Sequence, residues 1–409
     1  MTDMRLPRLA ALCPLALTLI VANPAGAQSL VLKPLADARL RYERVEQDGI
    51  AKDADAVTIR VRTGVSATRG HLSALVEAQG NLAIVNHYDD TVSGPSRRAA
   101  VGDPENIALY RAQLQYKADA VTATAGRQKI TLDDERFVGA ANWRQNGRTY
   151  DAARFEWAVL PQLKADLIYS WSVRGTSGIN GTGAKPPAID GVNVFVNLAA
   201  KTPIGTLTGF AYLIDQDEQA VQGFRLSSQT YGARLAGNRA LAPSVKLNWA
   251  LSYARQSDYH RNPNDYRASY YLADAGLEVS AARLGAGYEV LGADRGTALT
   301  SFQTPLASIF KFQGWADKFT TTPANGVRDL YGSAGWTWKR VGPLTGILIQ
   351  GVYHRFDSDR LSMDYGDEVD LLASAKWRRY TVSARYADYH ADSFATNTRK
   401  FWLELDYVL

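Results

Sequence analysis

Cysteine is almost missing from this chain. The single one, Cys13, falls in a leader-like stretch, so the expected mature protein has neither a disulfide framework nor thiol chemistry. Methionine is nearly as scarce, with 3 in 409 residues. After the first two dozen residues no apolar run reaches helix-spanning length, which excludes a bundle of transmembrane helices. There is no linker, low-complexity run or composition break to divide the chain into domains. Catalytic signatures are also missing. The five histidines, His71, His87, His260, His354 and His390, are scattered, and neither a His-Glu-x-x-His zinc motif nor a Gly-x-Ser-x-Gly elbow occurs. His390, Asp392 and Ser393 have the residue types of a nucleophilic site, but sequence neighbours are seldom triad partners. Asp89, Asp90 and Asp103 lack EF-hand spacing and are read as a solvated loop. An enzyme, a metal, a cofactor and a nucleic-acid partner are therefore not expected.

The first residues carry an address. Arg5 and Arg8 make a positive start, Leu9 to Ala22 form an apolar stretch broken by Pro14, and Ala25-Gly26-Ala27 supplies small residues for a signal peptidase. The apolar stretch is shorter than the roughly 20 residues of a spanning helix. Leu12, in place of a small residue before Cys13, argues against lipoprotein processing. The expectation is a signal peptide over 1–27 and one mature domain over 28–409. Removing Arg5, Arg8 and Asp3 turns 46 bases and 41 acids into 44 and 40, a net charge of +4.

The mature chain keeps repeating a ten-residue alternation. In Val57-Thr58-Ile59-Arg60-Val61-Arg62-Thr63-Gly64-Val65-Ser66 the apolar side chains share one strand face and the polar ones the other. A chain made of little else, with charges on the inner parity, fits an antiparallel transmembrane β-barrel with an apolar outside and a wet lumen. Such barrels escape hydropathy scans because half of each strand is polar, so a mean hydropathy of -0.23 is no objection. Runs of alternation from 35–45 to 397–409 predict about 18 strands. The ninth and tenth (205–214 and 225–237) have the weakest parity and leave sixteen open.

Loop lengths agree with this reading. Tight links at 67–71, 117–120, 159–162, 279–281 and 377–380 alternate with long polar ones at 84–107, 172–192 and 291–327. Outer-membrane barrels put short turns in the periplasm and long loops outside. Phe401, Leu403, Leu405, Tyr407 and Leu409 alternate to the final residue, as in a closing strand read by the outer-membrane assembly machinery. Aromatics such as Tyr169, Trp171, Trp249, Tyr253, Trp336, Trp338, Trp377 and Tyr386 fall where bilayer interfaces would lie. The link 291–327 carries Phe302, Leu306, Ile309, Phe310, Phe312, Trp315 and Phe319, too many for a solvated loop; part of it is expected to fold inward and pack on the barrel wall or narrow the mouth, the alternative being a lid packed only on neighbouring loops.

The inner parity is charged. Arg39, Arg60, Arg62, Arg111 and Arg154 come from the early strands, with Glu77 and Glu156 beside them. Arg283, Asp329, Lys376 and Arg385 follow later. None can face acyl chains, where a charge near the midplane costs about 2–4 kcal/mol. Guanidinium groups fixed along a narrow water path attract anions and grip carboxylates bidentately. The competing reading is a ladder of arginine–carboxylate pairs that stiffens the wall.

Two stretches are dense enough to indicate a family. One runs from Gly126-Arg127-Gln128-Lys129-Ile130 through Asp134-Glu135-Arg136-Phe137-Val138-Gly139 and Asn142-Trp143-Arg144-Gln145 to Thr149-Tyr150-Asp151-Ala152. The other holds Phe302-Gln303-Thr304-Pro305, Gly314-Trp315-Ala316-Asp317-Lys318-Phe319 and Thr322-Pro323-Ala324-Asn325-Gly326-Val327-Arg328-Asp329-Leu330-Tyr331. With the leader and the barrel pattern, these resemble the alginate export family of outer-membrane porins. The resemblance implies a monomeric barrel in outer-membrane lipid, with an electropositive constriction that conducts an anionic polyuronate. It also implies that Arg127 is a pore arginine. Strict alternation from Val121 and Ala123 puts Arg127 on the lipid row instead, unless Gly126 forms a bulge. Two functional readings stand: a channel for acidic saccharides or organic acids, and a structural or receptor barrel whose lumen is blocked by paired charges.

Overall fold

The computed structural model describes residues 20–21, 29–94, 96–183, 185–217 and 223–409. The expected signal peptide lies outside them, apart from Ile20 and Val21, a two-residue strand β1 paired antiparallel with Val31 and Leu30. The barrel proper opens with β2 (Leu30–Gln47), β3 (Ala54–Arg69), β4 (Leu72–His87), β5 (Asn106–Lys117), β6 (Val121–Gln128) and β7 (Thr149–Leu160). It continues through β8 (Leu163–Arg174), β9 (Ala188–Thr202), β10 (Gly205–Ile214), β11 (Ser228–Ala242), β12 (Val245–Asp258) and β13 (Arg267–Val279). The last strands are β14 (Ala282–Leu291), β15 (Val327–Val341), β16 (Leu344–Asp357), β17 (Asp364–Trp377), β18 (Tyr380–Ala391) and β19 (Thr398–Val408).

Each of these strands pairs antiparallel with the next, and β19 returns to β2 with Glu404 opposite Arg41 and Leu403 opposite Tyr42. The ring of 18 strands is closed, which leaves no backbone edge to face lipid. The ninth and tenth barrel strands resolve as β10 and β11. A single turn of 3-10 helix at Gly223–Leu226 delays β11 to Ser228, and it runs to Ala242 rather than stopping at 237. Sixteen strands is therefore excluded.

Side-chain parity follows the alternation. On β3, Val61 and Val65 are 45% and 44% exposed while Arg60 and Arg62 are 4% and 5% exposed. The exposed row is the lipid row, and the charges turn to the lumen. Trp157, Trp336, Trp338 and Trp377 stand exposed near the short turns, and Tyr169, Trp171, Tyr253, Tyr271 and Tyr353 toward the long loops. These are two interfacial girdles.

A bulge corrects the parity on β5. Glu77 faces Arg111 but Ala78 faces Leu109, so Tyr110 is the extra residue. The bulge sends Ile107 and Leu109 out to lipid and turns Tyr110 inward, where it lies 5% exposed beneath Arg62.

The apolar core sits inside the barrel, toward the long-loop end. Inward rings of the wall, among them Phe195, Phe210, Tyr212, Tyr270, Phe356, Tyr389 and Trp402, meet two links that fold into the lumen. One is 292–326, as its apolar content predicts, with Phe302, Leu306 and Phe319 buried. The other is 129–148, with Ile130, Leu132 and Val138 buried. Each fully buried side chain of this kind contributes roughly 1.5–3 kcal/mol, which holds the links down against their conformational entropy.

Candidate functional site

The two inward links are the two stretches that carry the family resemblance, and they clasp each other across the lumen. Trp143 stacks on Phe310 with ring centroids 3.6 Å apart and planes 8° from parallel. Arg144 Nη2 lies 2.7 Å from Asp317 Oδ2, and Lys311 Nζ lies 2.5 Å from Glu135 Oε1. The N–H of Gly139 donates to Leu306 O at 2.9 Å. Burial by itself would raise the Glu135 carboxyl, but bonds from Lys311 and Ser308 outweigh it and hold the group below its usual range.

The wall grips each link where the backbone runs closest to it. Arg39 Nη1 donates to Asn142 O at 3.2 Å and Trp143 O at 3.0 Å, and Arg41 also donates to Trp143 O. Arg41 is fully buried, with Glu404 at 2.7 Å and Asp103 at 2.9 Å. Gly147 passes so near β3 that a Cβ there would sit 2.7 Å from the Tyr110 hydroxyl and 2.9 Å from Arg62 Nη2. On the other link Gly314, at φ +77°, would place a Cβ 2.3 Å from the Glu368 carboxylate. Past that point the N–H of Ala316 donates to Glu368 at 2.7 Å and that of Trp315 to Asp370 at 3.2 Å. Arg136, 2% exposed, reaches across to Glu289 at 2.7 Å.

The expected lumen residues fall into three groups. Arg39, Arg60, Arg62, Arg111 and Arg154 share the inward row on β2, β3, β5 and β7. Their acids are close: Arg39 to Asp406 at 2.7 Å, Arg60 to Asp37 at 2.6 Å, Arg111 to Glu77 at 2.6 Å. Arg154 pairs with Asp166 at 2.6 Å and Glu156 at 3.2 Å. Arg62 differs, since its Nε donates to the neutral Gln79 at 2.7 Å while its guanidinium lies 3.9 Å over the Tyr110 ring. Arg385 pairs with Glu404 beneath Trp143, and Asp329 accepts from His354 at 2.9 Å. Arg283 and Lys376 stand exposed near the short turns, apart from the constriction.

Arg127 is on the other row. The ladders carry no register shift at Gly126, and its partners across them are Ala112 and Asp151. It binds Asp151 bidentately at 2.7 and 2.9 Å and donates to Leu109 O at 3.1 Å. Gly126 does adopt φ +110°, but it twists the strand without inserting a residue, so the alternation prevails over the resemblance. The inward cation of this motif is Lys129, two residues on. Burial holds its ammonium below the ordinary lysine range, and the nearby Arg62 and Arg111 push the same way. The other inward link supplies Lys318, which burial, then Lys400, pulls down to about 8.

Acids gather on the opposite wall. Asp274, Glu289 and Asp329, with His354, Gln313 and Trp315, line a cavity of about 410 Å³. Among the described residues no group of three His, Cys, Asp or Glu side chains is arranged to hold a metal ion. Asp103 is committed to Arg41 and to the Gln145 N–H, and Asp89 and Asp90 accept turn N–H groups.

A family model described as alginate export matches residues 35–367. The chain belongs to the alginate export family. No curated protein matches the sequence. Among solved structures, OccAB4 of Acinetobacter baumannii superposes with a TM-score of 0.67 at 14% identity, covering 95% of this chain and 100% of that one. OccAB3 of the same organism gives 0.69 at 14% identity over 92% and 99%. OpdQ of Pseudomonas aeruginosa gives 0.66 at 14% identity over 92% and 98%. At such identity the likeness is one of fold. Family and fold together make this member of the alginate export family an outer-membrane porin, a channel set in the lipid of the bacterial outer membrane.

Proposed function

We propose that the protein is a passive pore for anionic, carboxylated solutes, with acidic polysaccharide of the alginate type, related carboxylated saccharides and organic acids as the cargo class. One observation carries the reading: Arg62 and Lys129 stand together on the basic wall without a carboxylate partner among the described residues. Neighbouring arginines are held flat by their acids, while the acids of the facing wall are engaged by His354, Arg136, Tyr331 and backbone N–H groups. Arg62 and Lys129 thus set positive charge without an ion-pair partner on one side of the path, where it favours carboxylates. Reversal potentials across a salt gradient test this directly. Anion preference, together with block by short uronate oligomers, supports the pore; cation preference refutes it.

A second reading has support in the density of pairs that cross the lumen: Arg144 to Asp317, Arg136 to Glu289, Arg41 to Asp103. A barrel sealed by these contacts would act as a receptor through its outer loops and show no single-channel current. We further infer that residues 1–27 are removed on export, that the strand ending at Leu409 is the segment read by the assembly machinery, and that the mature barrel is monomeric. Size-exclusion with light scattering and N-terminal sequencing check the last and first of these.

A further inference from the structure

We propose that the short-turn mouth of the barrel is a separate anion-binding site, a lysine collar that captures polyanionic chains before they reach the arginine wall. It rests on the reading of the lumen as an anion path. Lys117 on β5, Lys164 on β8, Lys201 on β9, Lys246 on β12, Lys339 on β15 and Lys376 on β17 all lie within three residues of a short turn. Register puts five on the inward row: Lys117 faces Thr122, Lys164 faces Ala199, Lys201 faces Thr206, Lys246 faces Glu278 and Lys376 faces Thr381, while Lys339 follows the outward Trp338 on β15. Five are exposed and Lys246 is half-buried.

None of the six makes an ion pair among the described residues. At the opposite rim several exposed arginines are taken up by carboxylates instead, Arg44 by Glu46 and Asp53, Arg355 by Asp364, Arg399 by Asp388. With no carboxylate in ion-pair contact, these ammonium groups are free to meet an entering polyanion, and six of them around one opening add their fields. Lys117 and Lys164 also edge a recess of about 440 Å³ that reaches Arg154, whose charge is taken up there by Asp166 and Glu156, with Asp119 and Asp133 also in the lining.

The choice of side chain fits the ligand class. A flexible ammonium is a point charge with no fixed donor plane, suited to a chain that presents carboxylates in many registers, whereas the planar guanidinium selects one geometry. In an outer-membrane barrel the short turns face the periplasm, so the collar would load the pore from that side.

The probe is a galacturonate oligomer added to one side of oriented single pores in planar bilayers, with the voltage set to draw it inward. Block should need an about tenfold lower oligomer concentration from the short-turn side at 0.1 M salt, and the difference should vanish near 1 M. A variant with Lys117, Lys164, Lys201 and Lys376 all changed to Gln should block equally from both sides, and the same four changed to Arg should keep the asymmetry. Equal block of the unmodified pore from both sides overturns the collar, as does an asymmetry that survives the glutamine variant. A pore that prefers cations in reversal potentials would overturn the underlying anion path instead. Anion preference without sidedness removes the collar alone.

Discussion

Replacing Arg62 and Lys129 by glutamine together removes the two cations of the basic wall that lack a carboxylate partner among the described residues. A unit charge acting on an ion about 8 Å away across water contributes about 0.5 kcal/mol. Screening at 0.1 M salt cuts that to about half. Two charges then shift anions by about 0.5 kcal/mol in one direction and cations by the same amount in the other. The permeability ratio should fall about fivefold, since 1.4 kcal/mol is a factor of ten. Arg60 to Gln serves as the control, because that change also frees Asp37 from its 2.6 Å pair and alters stability along with charge. The assay is the reversal potential under a tenfold potassium chloride gradient, with heat-modifiable gel migration confirming that each barrel is closed. An unchanged ratio in a folded double variant would refute the assignment of selectivity to this pair.

Anion preference should decline between pH 7 and 9, because Lys318 loses its proton near pH 8, and Lys318→Arg should flatten that limb. The seating of link 292–326 has the opposite slope. A released Lys318 binds a proton up to its ordinary value near 10.4, so the docked state gains stability as pH rises from about 8 toward that value, seen as slower proteolysis of the link. Arg136→Ala strands Glu289 without its ion pair and should weaken the clasp by about 3–5 kcal/mol, read as faster tryptic cleavage within 129–148. Deleting 300–320 should raise single-channel conductance, since it removes Phe310 and Asp317 from the clasp; an unchanged current in a closed barrel would count against a constriction there. Val61→Lys should cost about 2–4 kcal/mol of barrel stability in lipid because it puts a charge on the exposed row, measurable by urea unfolding in liposomes.

Much of this architecture is legible in the sequence because a strand has a period of two and a membrane barrel has only two solvents. Val61 and Arg62 must part company whatever the rest of the chain does, and eighteen alternating runs with segregated loop lengths leave little freedom in topology. The inward folding of 292–326 is legible for a similar reason, since Phe302, Leu306 and Phe319 have nowhere else to go. The same signal was present in 129–148, where Ile130, Leu132, Phe137, Val138 and Trp143 are equally ill suited to water.

Tertiary structure alone decided the rest. Alternation counts residues along one strand, so it cannot register the extra Tyr110 that exchanges the faces of Ile107 and Leu109. Nor can it tell a glycine that twists a strand from one that bulges it, which is why Arg127 joins Asp151 on the outer row and Lys129 takes the inward place. Whether a lumen arginine is free or neutralised depends on partners far away in sequence: Asp406 for Arg39, Asp103 for Arg41, and Gln79 with the Tyr110 ring for Arg62. The alternating sequence set which face each charge occupies. The net field in the pore is a sum over contacts that exist only once the ring has closed and both links have folded into it.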